Sequence, residues 1–348
     1  MIDAPLAVPR IACLFGEPFE PFVGPVARHL GELVATMGGE MVTISAEAAW
    51  AAPDARPEVD GVYVLPFDPP RSAPDEREDV VAELFPGAPV LVPFALQDLC
   101  WDKVATQERL LKHGVATPAT LVTDDLAEVR SFVRDHRMAI LKEPRGCGGS
   151  GHLVLWIEDG ALVGDGGSHQ VRIEARSDGP TQLDGEVLRY APPFYVQRLI
   201  VQHGRGLPVA GQVLRAYVVD GEIRFWTERR RDHYRRPSDF IVNAGRGARY
   251  RFLHDVRHET AKLALRAAEA TGVRWGVVDL VRTQGAGPYV LEVDVDGAHM
   301  IVDRSYRRIP EFRDYFDFDR YLAQAIVRRL QGDPTAEPSP MVPAPKRF

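Results

Sequence analysis

Val277-Val278-Asp279-Leu280-Val281-Arg282, a turn of Thr283 to Pro288, then Tyr289-Val290-Leu291-Glu292-Val293-Asp294-Val295-Asp296-Gly297: the reading of this stretch decides the fold. Side chains on a strand alternate faces, so Glu292, Asp294 and Asp296 share one face while Leu291, Val293 and Val295 line the other. Asp279 sits the same way in the preceding strand. If the two strands pair as a hairpin across Gly285-Ala286-Gly287-Pro288, three carboxylates converge at bonding distance. Such an arrangement costs free energy unless a cation neutralises it. Oxygen ligands suit a hard divalent ion. Mg²⁺ usually takes one or two carboxylates and keeps the rest of its octahedron for water and phosphate oxygens, which points to a nucleoside triphosphate.

Two other readings of the same residues stay open. Acidic side chains on the solvent face of an antiparallel hairpin need no ligand. Glu292-x-Asp294-x-Asp296-Gly297, with Asp303 at the twelfth position, also mimics a calcium-binding helix-loop-helix loop. The flanks argue against calcium, because Tyr289 to Val293 is short, β-branched and aromatic where an entering helix is required, and the last ligand is not Glu.

The chain has 348 residues, enough for two or three subdomains with a sizeable core. A net charge of −7 gives no support for nucleic acid as the main partner, although arginines cluster at Arg229-Arg230-Arg231 and Arg235-Arg236. No apolar run approaches a membrane span, and Met1 to Gly16 lacks the pattern of a signal peptide, so no membrane partner and a cytoplasmic location are expected. Cys13, Cys100 and Cys147 have neither metal-site spacing nor an even count, and reduced thiols are expected.

Upstream, Ile11 to Gly16 reads as a buried strand entering a turn. A helix carrying Val26, Leu30, Leu33 and Val34 follows, stopped by Gly38-Gly39. Met41 to Ile44, Gly61 to Leu65 and Pro89 to Val92 are further strands. The alternation predicts an α/β unit over residues 1–95 with a mostly parallel sheet. A helix from Trp101 to Gly114 has Asp102 as its N-cap, and Asp124 to His136 is a second helix. Glu158 to Pro193 reads as a polar insertion of strands and loops, and Gln202 to Pro208 as a loop. Asp220-Gly221 between Gln212–Val219 and Glu222–Thr227 is a strong hairpin signal. Val213, Arg215, Tyr217 and Val219 share one face of the first of these strands, and an arginine buried there requires an anionic partner. Helices over Asp255 to Thr271 and Phe318 to Leu330 close the chain, and the Pro-rich residues 332–348 are expected to be a disordered tail.

A second functional stretch is Met138-Ala139-Ile140-Leu141-Lys142-Glu143-Pro144-Arg145-Gly146-Cys147-Gly148-Gly149-Ser150-Gly151-His152-Leu153. A strand delivers a lysine, and a glycine loop then lets backbone N–H groups approach an anion. Gly146-x-Gly148-x-x-Gly151 matches the dinucleotide fingerprint, but that motif opens a helix, whereas Leu153 to Ile157 reads as a strand. No Gly-Lys-Ser/Thr ends the loop, so it is not a Walker A loop. A glycine-rich hairpin turn with an incidental lysine is the plain alternative.

The order of these parts resembles the ATP-grasp superfamily of carboxylate-amine ligases, with the ribosomal-protein-S6 glutamate ligase type closest in look. The parts are the Asp102-Lys103 helix, Lys142 with its Gly loop, the Gln197 strand, the Arg215 hairpin, and Asp279 with Glu292-x-Asp294. The resemblance spans about Leu96 to Leu330. It implies an α/β (α+β) ATP-grasp fold over 96–331, with a central subdomain over about 115–200, a C-terminal subdomain over about 201–331 and the α/β unit preceding them. It further implies that Lys103 and Lys142 contact ATP phosphates and that Gly148, Gly149 and Gly151 belong to the loop covering them. Gln197, standing where the family often has Glu, and Leu199 would meet adenine. Asp279, Glu292 and Asp294 would hold two Mg²⁺ ions, with Mn²⁺ able to substitute. Arg215 would stabilise an acyl phosphate, and Asn243, with Gly245 and Gly247, resembles the family's Asn-x-x-Gly-Gly loop. Asp294 replaces the usual Asn, and Ile241 stands where Arg is common.

The implied reaction activates a carboxylate as an acyl phosphate and joins it to an amine. Its substrates would be small molecules or peptides, and a homodimer is an open expectation. An ATP-binding sensor without turnover and a peptide macrocyclase of the same superfamily are the alternatives.

Overall fold

In a computed structural model the described residues are 8–17, 20–65, 74–145, 152–166, 170–173, 192–200, 202–204, 207–209, 212–231, 236–242, 248–282, 287–295 and 317–332. Strands β1 (Arg10–Phe15), β2 (Glu40–Ser45) and β3 (Gly61–Val64) form a parallel sheet in the order β2-β1-β3. Helix α1 (Glu20–Thr36) joins the first two and stops as expected, with Gly38 at φ 82°. The expected strand over Pro89 to Val92 is a correction: only Val90 bridges, to Val62. Helices α2 (Ala46–Ala51), capped by Ser45, and α3 (Pro74–Leu84) complete this part of the chain.

The helix expected with Asp102 as its N-cap is α5 (Lys103–Lys112), and a further helix not expected from the sequence, α4 (Phe94–Trp101), precedes it. They break at Asp102, whose backbone is extended and whose carboxylate accepts from the Ala105 N–H at 3.0 Å.

A six-stranded antiparallel sheet follows. It comprises β4 (Thr120–Thr123), β5 (Met138–Lys142), β6 (Leu153–Glu158), β7 (Ala161–Asp165), β8 (Gln170–Ile173) and β9 (Phe194–Arg198), in the order β4-β9-β5-β6-β7-β8. Ala139, Leu141, Leu153, Leu155, Phe194 and Val196 pack with Val129 and Val133 of α6 (Leu126–His136). By alternation, Ile140, Lys142, Tyr195 and Gln197 take the opposite face. Part of the Glu158 to Pro193 insertion thus extends this sheet as β7 and β8. The Gln202 to Pro208 segment, expected as a loop, contains a short ribbon of β10 (Gln202–Gly204) and β11 (Leu207–Val209).

The last sheet has five antiparallel strands: β12 (Gln212–Val219), β13 (Glu222–Arg230), β14 (Arg249–Leu253), β15 (Trp275–Arg282) and β16 (Pro288–Asp294), in the order β14-β13-β12-β15-β16. The β12–β13 turn has positive φ at both Asp220 (51°) and Gly221 (78°), the requirement of a type I′ hairpin. Helix α7 (His258–Thr271) buries Leu263, Ala264, Ala267 and Ala268 against this sheet and ends at left-handed Gly272.

Helix α8 (Phe318–Leu330) returns to the parallel sheet and packs on α1. One core therefore runs from Ile11 and Cys13 through Val327 and Ile326 to Tyr217, Leu214 and Val278. Among the described residues no helix is long and apolar enough to cross a membrane.

Candidate active site

On the inner face of the six-stranded sheet, β5 ends at Lys142, which is buried and donates from Nζ to Gln197 Oε1 at 2.8 Å. Burial, opposed by Glu292, reinforced by Lys103 and opposed by Asp279, pulls the lysine down from 10.5 to about 8. Lys142 therefore shares one electrostatic space with carboxylates of β15 and β16. Ile140, Val154 and Ile241 form a small apolar cluster on the same side as Lys142, with Leu199 packed against it. Ile241, where the resemblance leads one to look for Arg, is thus a buried wall residue. The 3₁₀ turn Pro237–Phe240 brings it there, and the Ser238 N–H donates to Asp165 Oδ2 at 3.0 Å.

Lys103 opens α5. Its N–H donates to the Pro144 carbonyl at 2.9 Å, and Asp102 pairs in antiparallel fashion with Arg145. These links fasten the start of α5 to the chain just after β5, so two lysines and the positive end of a helix meet in one region. Anions are stabilised in such a place.

These carboxylates belong to the five-stranded sheet. Asp279 lies opposite Arg215 on β12 and opposite Glu292 on β16. Arg215 binds its carboxylate at both ends, Nε to Oδ1 at 2.7 Å and Nη2 to Oδ2 at 2.8 Å, and Arg229 Nη2 approaches the same oxygens at 3.2 and 3.0 Å. Burial alone would raise Asp279, but Arg215 and Arg229 outweigh it and hold the carboxyl below its ordinary value. Glu292 has the opposite fate. Burial, then the charges of Asp279 and Asp294, push it up, only partly offset by Lys103 and Lys142.

Among the described residues, Lys103, Lys142 and Gln197 thus lie on the side of the six-stranded sheet and Arg215, Asp279, Glu292 and Asp294 on the five-stranded sheet, with one correction. Asp279, Glu292 and Asp294 do not close into a tight ligand trio. Among the described residues, the group whose ligand atoms all lie within 4.8 Å of one another is His29, Asp317 and Asp319, where α1 meets the start of α8. Glu292 and Asp294 are two residues apart along β16, and the Asp279 carboxylate is held by two guanidinium groups. The anionic partner demanded by Arg215 is therefore Asp279 itself. Arg229 belongs in the sequence to a basic run and to the Glu228-Arg229-Arg230 stretch that precedes the Asn243 loop; its place two residues from Thr227, the cross-strand partner of Arg215, is what brings it to Asp279. Tyr195 and Gln107, buried beside Gln197, carried no motif. Gly148, Gly149, Gly151 and Asn243 lie outside the described residues, as does the tail over 333–348.

No protein-family model matches the chain. A tetrahydromethanopterin:α-L-glutamate ligase from Methanocaldococcus jannaschii is 27% identical over 220 residues, spanning 63% of this chain and 66% of that protein, just under two thirds of its length. Among solved structures, ATP-grasp ligase PsnB complexed with minimal precursor superposes with a TM-score of 0.59 at 17% identity, covering 93% of this chain and 99% of that one. The chain has the ATP-grasp fold. A second ATP-grasp match, the D-alanine–D-alanine ligase from Bacillus anthracis complexed with ATP, has a TM-score of 0.58 at 14% identity over 94% of this chain and 99% of that one. PsnB has also been solved with Mg and ADP, at a TM-score of 0.58, 16% identity and coverage of 95% and 100%. The ATP-grasp architecture thus accounts for two sheets facing each other across a charged interior.

Proposed function

We propose that the protein is an ATP-dependent ligase that activates a carboxylate as its acyl phosphate and joins it to an amine, releasing ADP and phosphate. The observation that carries the proposal is the meeting of Lys142 and Lys103 with the Asp279–Glu292 pair between opposed sheets. Cations for phosphate and carboxylates for metal stand within one electrostatic reach.

A carboxylate is too poor an acyl donor to react with an amine near neutral pH. In the proposed first step a carboxylate oxygen attacks the γ-phosphorus of ATP, and the bond to the bridging oxygen breaks to release ADP. The amine nitrogen then attacks the acyl carbon, phosphate leaves, and the amine gives up a proton. Lys142 and Lys103 bind phosphate oxygens and offset charge on the transferring group. Arg215, held rigidly by Asp279, orients the acyl oxygen. The apolar wall of Ile140, Val154, Ile241 and Leu199 offers a surface for the adenine ring, with Gln197 at its edge.

The buried carboxylates fit a hard cation, since Glu292 is destabilised as an anion by its acidic neighbours. Glu292, Asp294 and the outer lone pairs of Asp279 would hold Mg²⁺, which would supply charge neutralisation for the triphosphate. Gly148, Gly149, Gly151 and Asn243 keep their sequence-derived roles as phosphate loop and substrate loop.

The test is release of ADP and phosphate from Mg·ATP in the presence of panels of amino acids, dipeptides and longer peptides. Stimulated release by one class identifies the substrate. A protein that binds Mg·ATP but shows no stimulated release with any carboxylate-amine pair, peptides included, would be a nucleotide sensor.

A further inference from the structure

We propose that Gln107 and Tyr195 are positioning residues, which act through Gln197 to aim the Lys142 ammonium at the nucleotide phosphates. The proposal rests on the ligase reading and names residues that no motif marks.

The chemistry of each group fixes the direction of the chain. A lysine ammonium only donates, so the contact from Lys142 at 2.8 Å obliges Gln197 to present Oε1 to it. The Gln197 amide nitrogen must then point away, where it donates to the Tyr195 hydroxyl at 3.3 Å and to Thr120 Oγ1 at 3.4 Å. Thr120 can accept because its own proton goes to the Pro118 carbonyl at 3.0 Å. Having accepted from Gln197, Tyr195 donates to Gln107 Oε1 at 3.5 Å, and Gln107 Nε2 donates to Thr117 Oγ1 at 2.6 Å. Reversing the Gln197 amide would set an NH₂ group against the ammonium and leave the tyrosine without its donor. The ammonium thus fixes the Gln197 amide, and the longer contacts through Tyr195, which also hydrogen-bonds Thr120, extend that order to Gln107.

The fold supports this wiring. Tyr195 is the cross-strand partner of Lys142, Gln197 pairs with Ile140 and Thr120, and all are buried or half-buried on the inner face of the sheet. Gln107 reaches them from α5, the helix that begins with Lys103. The chain therefore ties the element carrying one lysine to the element carrying the other. Every member except Lys142 is neutral, so among the described residues this hydrogen-bond series sets no carboxylate against the ammonium and leaves its charge to an anion. The charged groups that act on Lys142 are Lys103, Glu292 and Asp279.

The experiment measures Mg·ADP affinity by calorimetry across the alkaline range, together with thermal unfolding, for wild type, Tyr195→Phe, Gln107→Leu and Gln107→Glu. Tyr195→Phe and Gln107→Leu should each weaken Mg·ADP about three- to tenfold, as expected for one lost link. They should also move the alkaline midpoint of binding downward, because a freed Gln197 amide no longer holds its oxygen on the ammonium. Gln107→Glu keeps an oxygen for the tyrosine proton and should recover Mg·ADP affinity relative to Gln107→Leu; because its added charge raises the midpoint by itself, affinity is the readout that counts for this variant. Wild-type affinity and midpoint in Tyr195→Phe and Gln107→Leu, with only a lower unfolding temperature, would reduce the chain to packing and overturn the proposal. Should Tyr195→Phe not fold, the Gln107→Leu and Gln107→Glu pair decides alone. If wild type itself ignores Mg·ADP, the ligase reading fails, and this one with it; binding that is insensitive to the variants sinks only this one.

Discussion

Arg215 and Asp279 are cross-strand partners whose side chains close a two-point ion pair, with N–O distances of 2.7 and 2.8 Å, in the middle of the five-stranded sheet. One strand further along, Glu292 pairs with the same aspartate and is repelled by it. Two carboxylates side by side therefore have opposite effects on the ligand-free protein.

Neutralising each carboxylate should separate those effects. Asp279→Asn strands two buried guanidinium groups and is expected to cost about 3 kcal/mol of stability or more. Glu292→Gln removes a net unfavourable charge and should leave stability unchanged or raise it by about 1 kcal/mol. Urea unfolding without nucleotide measures both, and equal losses would mean that Arg215 and Arg229 do not depend on Asp279. With Mg·ATP present the comparison changes, since Glu292→Gln should lose most of the ligand-induced stabilisation.

Lys142 gives nucleotide binding and stability opposite alkaline trends. Its value in the fold, about 8, lies below the ordinary 10.5, so between these values the unfolded chain binds more protons and this group's contribution to ligand-free stability rises with pH. Phosphate attraction fades over the same window as the ammonium is lost. Mg·ADP affinity should fall above about pH 8, and Lys142→Arg, which stays charged, should flatten that limb. An unchanged limb in the arginine variant would assign it to another group.

Gly276 offers a test of the β15–β16 pairing that changes no charged side chain. A Cβ built there would overlap the backbone carbonyl oxygen of Asp294 and press on Val273. Gly276→Ala must therefore shift the strand that carries Asp294 and Glu292. Stability should fall by about 1–3 kcal/mol, and the Mg²⁺ concentration needed for nucleotide-induced stabilisation should rise. Unaltered Mg²⁺ dependence would separate the hairpin from the metal.

Thiol chemistry should single out the glycine loop. Cys13 and Cys100 are free and buried, and burial, then Asp319, pushes the Cys13 thiol up to about 12. Native alkylation should accordingly modify Cys147 first and abolish turnover, with Mg·ATP protecting it. Cys147→Ala should stay active and resist the reagent, whereas an inactive Cys147→Ala that still binds Mg·ATP would revive a covalent mechanism. Peptide mapping by mass spectrometry identifies the modified thiol.

Much of this was legible because local chemistry is strong where the sequence is punctuated. Asp102 caps α5, Asp220-Gly221 makes a type I′ turn, Gly272 stops α7, and α8 runs over the span expected for it. Asp279 and Glu292 pair as their strand alternation implies. The start of α5 was legible from Asp102, but α4 was not, because Phe94 to Trp101 is short and its N-cap, Pro93, makes no side-chain cap hydrogen bond. Pro89 to Val92 looked like a strand on composition, yet it finds sheet partners only at Val90. The grip of Arg229 on Asp279 depends on the registers of two strand pairs at once, and no single segment encodes it.

The return of α8 to α1 has a consequence for synthesis. Gly39 and Gly61 leave room that Val327 and Leu330 fill, so one side of the parallel sheet is completed by α8, a helix synthesised long after β1 to β3. Until residues 318–330 appear, Val26, Leu30 and Val34 of α1 lack part of their apolar cover. Domains usually fold as they are made; here β1 to β3 and α1 wait for α8, and a product terminated before α8 would carry a sticky face that chaperones and proteases can recognise.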